Sequence, residues 1–225
     1  MCGRYSLKAD IVQLAMRFEF AVDEVVHEPA SNIAPTQQVL TVTNDGERRA
    51  EHMRWGLIPF WAKDAKIGYR MINARGETVA EKPSFRTALR KRRCLILADG
   101  FYEWQKLGGK QKRPMRIVLK SGEPFAFAGL WDTWQDPKGE LVKSCTIITT
   151  SANEFLSPIH ERMPVILPQE QESFWLDKEV EDPLALSSVI VSYPDEGMDA
   201  FEVSTLVNNT RNKGPEVMAP VSRLV

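Results

Sequence analysis

The sequence predicts an α+β protein with a mixed, barrel-like β-sheet core and peripheral helices, organised as a single domain over residues 1–225. Three observations predict this. Short strand patterns outnumber helical ones and do not alternate with them, which argues against regular strand–helix–strand units. The segment Cys94-Leu95-Ile96-Leu97-Ala98 is continuously apolar, the pattern of a strand buried on both faces. No repeat, low-complexity tract or long linker divides the chain.

The elements follow in order. Residues 7–20 place Leu7, Ile11, Leu14, Ala15 and Phe18 at helical spacing and predict an amphipathic helix. A polar connector over 23–31 leads to the alternating strand Gln38–Thr43, and Asn44-Asp45-Gly46 turns it back into a partner running to about Leu57. Trp55-Gly56-Leu57-Ile58-Pro59-Phe60-Trp61 is either a loop tucked onto the core or a surface that holds something. Residues 84–93 read as a short helix with a basic outer face. The strand Cys94–Asp99 is ended by Gly100–Trp104. A basic turn over 106–116 then overlaps strands at 115–119 and 124–130, separated by Gly122-Glu123. Cys145–Thr150 is a further strand, followed by a short helix over 153–159 with Ser151 as N-cap and a strand over 165–167. Two helices, 169–177 and 183–188, and a late strand at 201–204 complete the pattern. The tail from about 208 is polar and loop-like, with Val207 as its last apolar anchor.

Composition limits the function. The chain of 225 residues is 43% hydrophobic and 26% charged, an ordinary globular balance with enough length for a full core. No apolar run approaches the ~20 residues of a membrane span, and the N-terminus has no apolar signal core. A cytoplasmic protein without a membrane partner is expected. Cys2, Cys94 and Cys145 are an odd set without metal-ligand spacing, so no disulfide framework and no metal site are expected, and no cofactor either. A net charge of −1 neither demands nor forbids a polyanionic partner.

Four places combine polar chemistry with a strand end or tight turn: Cys2, Asn73 to Arg75, Glu103 and His160. Met1 precedes a small residue and is expected to be trimmed. Cys2 would then carry a free α-amine and a thiol, with ordinary pKa values of ~8 and ~8.5. Such a 1,2-aminothiol condenses with an aldehyde to an imine, and the thiol then closes a thiazolidine ring. Glu103 lies between Tyr102 and Trp104 after an apolar strand, where apolar surroundings would raise its pKa and suit it to proton transfer. Read singly, each has a bland alternative: a disordered terminus for Cys2, a turn for Asn73, an exposed strand end for Glu103, a helix cap for His160.

Read together, Met1-Cys2-Gly3-Arg4, the NARGET stretch at 73–78, ADGFYEW at 98–104 and IHERMPVIL at 159–167 resemble the SRAP (SOS-response-associated peptidase) family. The resemblance extends from Met1 to about Gly214, and its members process abasic sites. It implies that Cys2 traps the ring-opened aldehyde of an abasic site in single-stranded DNA, and that the nucleoid becomes the location when the protein is bound there. Asn73 would orient the Cys2 linkage, Glu103 would act as general acid/base, and His160 would hydrogen-bond the opened sugar. It further implies that Arg4, Arg75 and Arg162 contact phosphates with help from Thr149. The aromatic loop, through Trp55, Phe60 or Trp61, would stack on bases beside the lesion. The peptidase label implies self-removal of Met1. The alternatives are a glutamine amidotransferase-like hydrolase, which also begins Met-Cys-Gly, and a non-catalytic module that binds modified DNA. A monomer is expected.

Overall fold

In the computed structural model, which describes residues 2–44 and 46–221, two sheets share one core. The chain opens with β1 (Tyr5–Leu7) and turns into α1 (Ile11–Phe18), whose N-cap Asp10 accepts a hydrogen bond from the Gln13 N–H. This helix is shorter than the spacing suggests. Leu7 pairs with Ala30 in a strand, and Glu19 ends the helix in a left-handed conformation. β2 (Ala30–Ile33) occupies part of the expected connector. β3 (Gln38–Asn44) and β4 (Arg48–Trp55) form the expected hairpin in unbroken antiparallel register, its turn residue Asp45 lying outside the described residues. β5 (Asn73–Arg75) and α2 (Arg86–Lys91) precede β6 (Arg93–Ala98), which is buried along its whole length, as its apolar run requires.

Downstream, strands extend well past their apolar cores. Gly100–Gly108 does not terminate β6 but forms β7, which pairs with β8 (Gln111–Leu119), so the basic segment is a two-stranded ribbon rather than a turn. Its exposed half carries charged residues on both faces, so neither alternation nor an apolar run marks it as strand. β9 (Phe125–Gln135) and β10 (Leu141–Ser151) are likewise long. The helix expected at 153–159 is a run of turns. Ser151 is consumed by pairing with Arg162, Asn153 Oδ1 receives the Leu156 N–H at 2.9 Å, and Pro158 supplies no N–H to continue a helix. β11 (Arg162–Pro164), β12 (Ile166–Leu167), α3 (Gln169–Leu176), α4 (Pro183–Ser187) and β13 (Met198–Glu202) follow. The tail is not loose. Val217 is buried beside Val207, and the Asn32 amide donates to the Asn209 and Asn212 carbonyls.

The strands β10-β4-β3-β6-β9 close on themselves, because β9 also pairs with β10, giving a five-stranded barrel whose β10–β4 contact is parallel. β5 lies beside β10 in parallel and β11 beside it in antiparallel. The second sheet, β13-β8-β7-β1-β2, is antiparallel and packs against the barrel through Tyr5 and Phe101, whose rings meet Phe127 at 5.7 and 6.1 Å. The fold is thus α+β, with a mixed barrel and few helices. No helix among the described residues is long and apolar enough to cross a membrane.

Candidate active site

The site lies where the two sheets meet. Tyr5 is opposite Phe101, and the Tyr102 N–H donates to the Arg4 carbonyl at 2.9 Å. The strands run antiparallel, so the start of the chain advances along β7 toward Glu103. Phe101 belongs to the main core, whereas Tyr102 and Trp104 pack in a separate cluster with Val203, Val207 and Val217. By strand alternation Glu103 shares the Phe101 face, so it is buried by the main core and not by its aromatic neighbours in sequence. It is 4% exposed, and burial pushes its carboxyl above the usual range while the His160 ring pulls the other way. Cys2 is fully buried, and its thiol is pushed up by burial first and by the Glu103 charge second. The thiol lies 4.0 Å from the Arg4 carbonyl.

His160 completes this group. Its Nε2 is 4.0 Å from Glu103 Oε2, and its Nδ1 receives the Arg162 backbone N–H at 3.0 Å. Nδ1 also lies 3.2 Å from the Arg162 carbonyl, so the Arg162 backbone fixes the ring with Nε2 on the Glu103 side. Arg162 is itself held fast. Its guanidinium bonds both Glu77 oxygens, the Thr149 carbonyl at 2.7 Å and the Thr149 hydroxyl at 3.1 Å. The Arg162 hydrogen bonds hold the Glu77 carboxyl below the usual range. Glu77 therefore belongs to the site, although sequence reasoning missed it; its place in the NARGET stretch beside Arg75 is the signal that marks it.

The remaining expectations divide. Asn73 lies on β5 opposite Ile147, its amide donating to the Ile72 carbonyl at 3.0 Å. Its Oδ1 is buried without a hydrogen-bond partner among the described residues, an acceptor held in place for a donor. Arg75 is exposed two residues further along. Thr149 is wholly buried, so it positions Arg162 and does not reach a phosphate directly. The Arg4 Nη1 bonds the Asn32 side chain at 2.8 Å and the Val207 carbonyl at 2.6 Å, with its guanidinium over Trp104. Arg4 therefore ties the chain start to the tail.

The aromatic loop splits in the same way. Trp55 is a core residue and no base-stacking surface: it is fully buried, 5.3 Å from the Tyr5 ring, with its indole N–H on the Ile72 carbonyl. Phe60 and Trp61 are 62% and 47% exposed. Their loop is pinned from behind by Ile58 N–H to Ser144 Oγ (2.7 Å), Phe60 N–H to Asp132 (3.0 Å) and the Trp134 indole to the Ala62 carbonyl (2.7 Å). At its base Gly56 (φ +124°) and Gly68 cross so closely that a Cβ on either would lie 2.6–2.7 Å from the other's carbonyl oxygen. The loop is a rigid mount with an apolar tip.

A barrel flanked by an antiparallel sheet, with an N-terminal cysteine, a buried glutamate and a histidine at the junction, defines a class. The chain belongs to the SOS response associated peptidase (SRAP) family, whose model matches residues 1–210. It is 49% identical over 221 residues to the abasic site processing protein YoqW of Bacillus subtilis, covering 97% of this chain and 99% of that protein. It is 40% identical over 204 residues to the abasic site processing protein HMCES of Rattus norvegicus, covering 77% of this chain and 57% of that longer protein. A crystal structure of a protein from Bacteroides thetaiotaomicron superposes with a TM-score of 0.89 at 29% identity, over 98% of this chain and all of that one.

Proposed function

We propose that this protein senses and processes abasic sites in single-stranded DNA, forming a covalent thiazolidine link through Cys2 once Met1, which lies outside the described residues, has been removed. The observation that carries this reading is the convergence of the buried Cys2 thiol and Glu103 carboxyl with the part-exposed His160, whose Nε2 lies 4.0 Å from the carboxyl. A buried cysteine accepts only what can be drawn in from the stack, and a nucleotide that has lost its base is the least costly to extrude.

The chemistry follows from the two raised pKa values. A carboxyl whose hold on its proton is strengthened by burial can protonate the ring oxygen of the closed sugar as the anomeric hydroxyl gives up its proton, releasing the aldehyde. The Cys2 amine then adds to the aldehyde carbon, a C–N bond forms, and water leaves to give the imine. The buried thiol is a poor thiolate, so it attacks the imine carbon as it gives up its proton through Glu103 to the nitrogen. The net change is aminothiol plus aldehyde giving thiazolidine plus water. His160 donates to the opened sugar, and Asn73 Oδ1 is the acceptor for the new N–H. Arg75 meets a flanking phosphate. Arg162 joins it when a phosphate displaces Glu77, and Phe60 and Trp61 stack on neighbouring bases. Self-removal of Met1 would draw on the same acid/base pair.

The test is a denaturing gel after incubating the processed protein with single-stranded DNA carrying one abasic site. A shifted band is expected without added reductant, absent for Cys2→Ala and for DNA whose aldehyde was reduced beforehand. Equal cross-linking by Cys2→Ala would sink the thiazolidine route, and Cys2-dependent ammonia release from glutamine would favour the amidotransferase instead.

A further inference from the structure

A second region of the surface has the composition of a phosphate-binding track, and it lies away from Cys2. Two clefts share Lys91. One is lined by Arg49, Glu51, Lys91, Trp131, Lys143 and Lys178 near the turn end of the β3–β4 hairpin, the other by Arg86, Arg90, Lys91 and Glu181 along α2. The cations Arg49, Arg86, Arg90, Lys91, Lys143 and Lys178 are all exposed. They are opposed in the clefts by Glu51, which pairs with Lys143 at 2.5 Å, and Glu181, which pairs with Lys91. On a chain of net charge −1 this is a strongly uneven placement.

The placement also carries a local cost. Arg86 and Arg90 stand four apart on one face of α2, where like charges repel. Arg86 further occupies the first turn, which contains no acidic residue and where the helix dipole disfavours a cation. Their backbones are bonded, Arg86 N–H to the Lys82 carbonyl and the Arg90 carbonyl to Arg93, but neither guanidinium has a hydrogen bond or ion pair among the described residues. Burial does not explain them, because α2 anchors itself through Ala88 and Leu89 on its other face. Trp131 adds a half-buried indole with the Lys143 ammonium 5.3 Å from its ring.

We propose that this surface binds the phosphodiester backbone of a single nucleic-acid strand independently of any lesion, with Arg49, Arg86 and Arg90 on phosphates and Trp131 beside a base. On β10, Lys143 in this surface and Thr149 in the Cys2 site are six residues apart, ~20 Å at ~3.3 Å per residue. At ~3.4 Å per stacked nucleotide, a strand touching both regions needs roughly six nucleotides.

The test compares wild type with the triple substitution Arg49→Glu, Arg86→Glu, Arg90→Glu, all at exposed positions. Binding is read by fluorescence anisotropy on an undamaged strand of ~25 nucleotides across a salt series, where each lost phosphate contact lowers the log–log salt slope by ~0.7. A fall in slope of about 2 and at least a ~100-fold loss of affinity at low salt are expected. An unchanged slope and affinity overturns the proposal. So does a wild-type affinity matched by free pyrophosphate, which would make this a small-anion site, or a loss confined to duplex DNA. Cross-linking to an abasic strand of ~4 nucleotides, too short to reach this surface, should be equal in both proteins. That readout tests the Cys2 chemistry separately, so failure of one reading leaves the other standing.

Discussion

Glu103 and Glu172 are both buried, at 4% and 1% exposure, and burial pushes both carboxyls above the usual range. Their partners differ. Glu172 on α3 receives two parallel hydrogen bonds from Arg17 of α1, at 2.7 and 3.0 Å, with Arg48 of β4 at 3.9 Å. A guanidinium stays charged at every accessible pH, so Glu172 always faces a fixed cation whose fork matches the carboxylate. Glu103 faces the imidazole of His160 across 4.0 Å, and imidazole is the side-chain type that exchanges protons near neutral pH. Burial raises both carboxyls alike, so burial alone does not set Glu103 apart as the candidate proton carrier. What distinguishes the two is whether the partner holds the charge in place or lets it move.

This comparison can be broken most sharply at Glu103. Glu103→Gln keeps the shape and removes the proton shuttle, so cross-linking should slow by ~10²–10⁴-fold while undamaged strands bind as before. The same substitution should stabilise the fold by roughly 0.5–2 kcal/mol at neutral pH, the usual trade between stability and function. The sign follows from the raised pKa. The folded state binds the proton more tightly than the unfolded one, so stability is greatest below the unfolded value of ~4.3 and is lost as pH rises through the folded value. The gap between Glu103→Gln and wild type, measured by chemical denaturation, should therefore close on acidification below pH ~4. A gap that widens instead would reverse the assignment.

At Glu172 the expected outcome is the opposite. Glu172→Ala removes the partner of two largely buried guanidinium groups and should cost about 3–5 kcal/mol, with the cross-linking rate of the surviving folded protein unchanged. The smallest effect is expected at Glu77, which is half-exposed and clamps Arg162 from the solvent side. Glu77→Gln should change stability by no more than ~1 kcal/mol. Because Arg162 carries His160 through its backbone N–H, the same variant should show a measurable change in the pH profile of cross-linking.

Much of this was legible in the sequence. The pairing of β3 with β4, the apolar run of β6, and α4 with Pro183 at its first position rest on local signals, and each formed where it was expected. Cys2, Glu103 and His160 were legible as candidates, because their side-chain types can carry such chemistry, and the structure places Glu103 4.0 Å from His160. The tertiary structure decided what those residues face. Trp55 and Trp61 are six positions apart in one aromatic stretch, yet one packs against Tyr5 at the end of β4 and the other reaches solvent in the loop that Gly56, at φ +124°, begins. Thr149 reads like any strand threonine until β11 brings Arg162 onto its hydroxyl. Glu103 sits between two aromatic residues in sequence, but β-sheet alternation turns both away from it and leaves the main core to bury it. Cys2 shows the same division. The reactivity expected of it is a property of the residue and its position, while its burial beside Glu103 comes from pairing β1 with a strand almost a hundred residues away. Such pairings join segments whose separation no local pattern encodes, and so only the folded chain settles them.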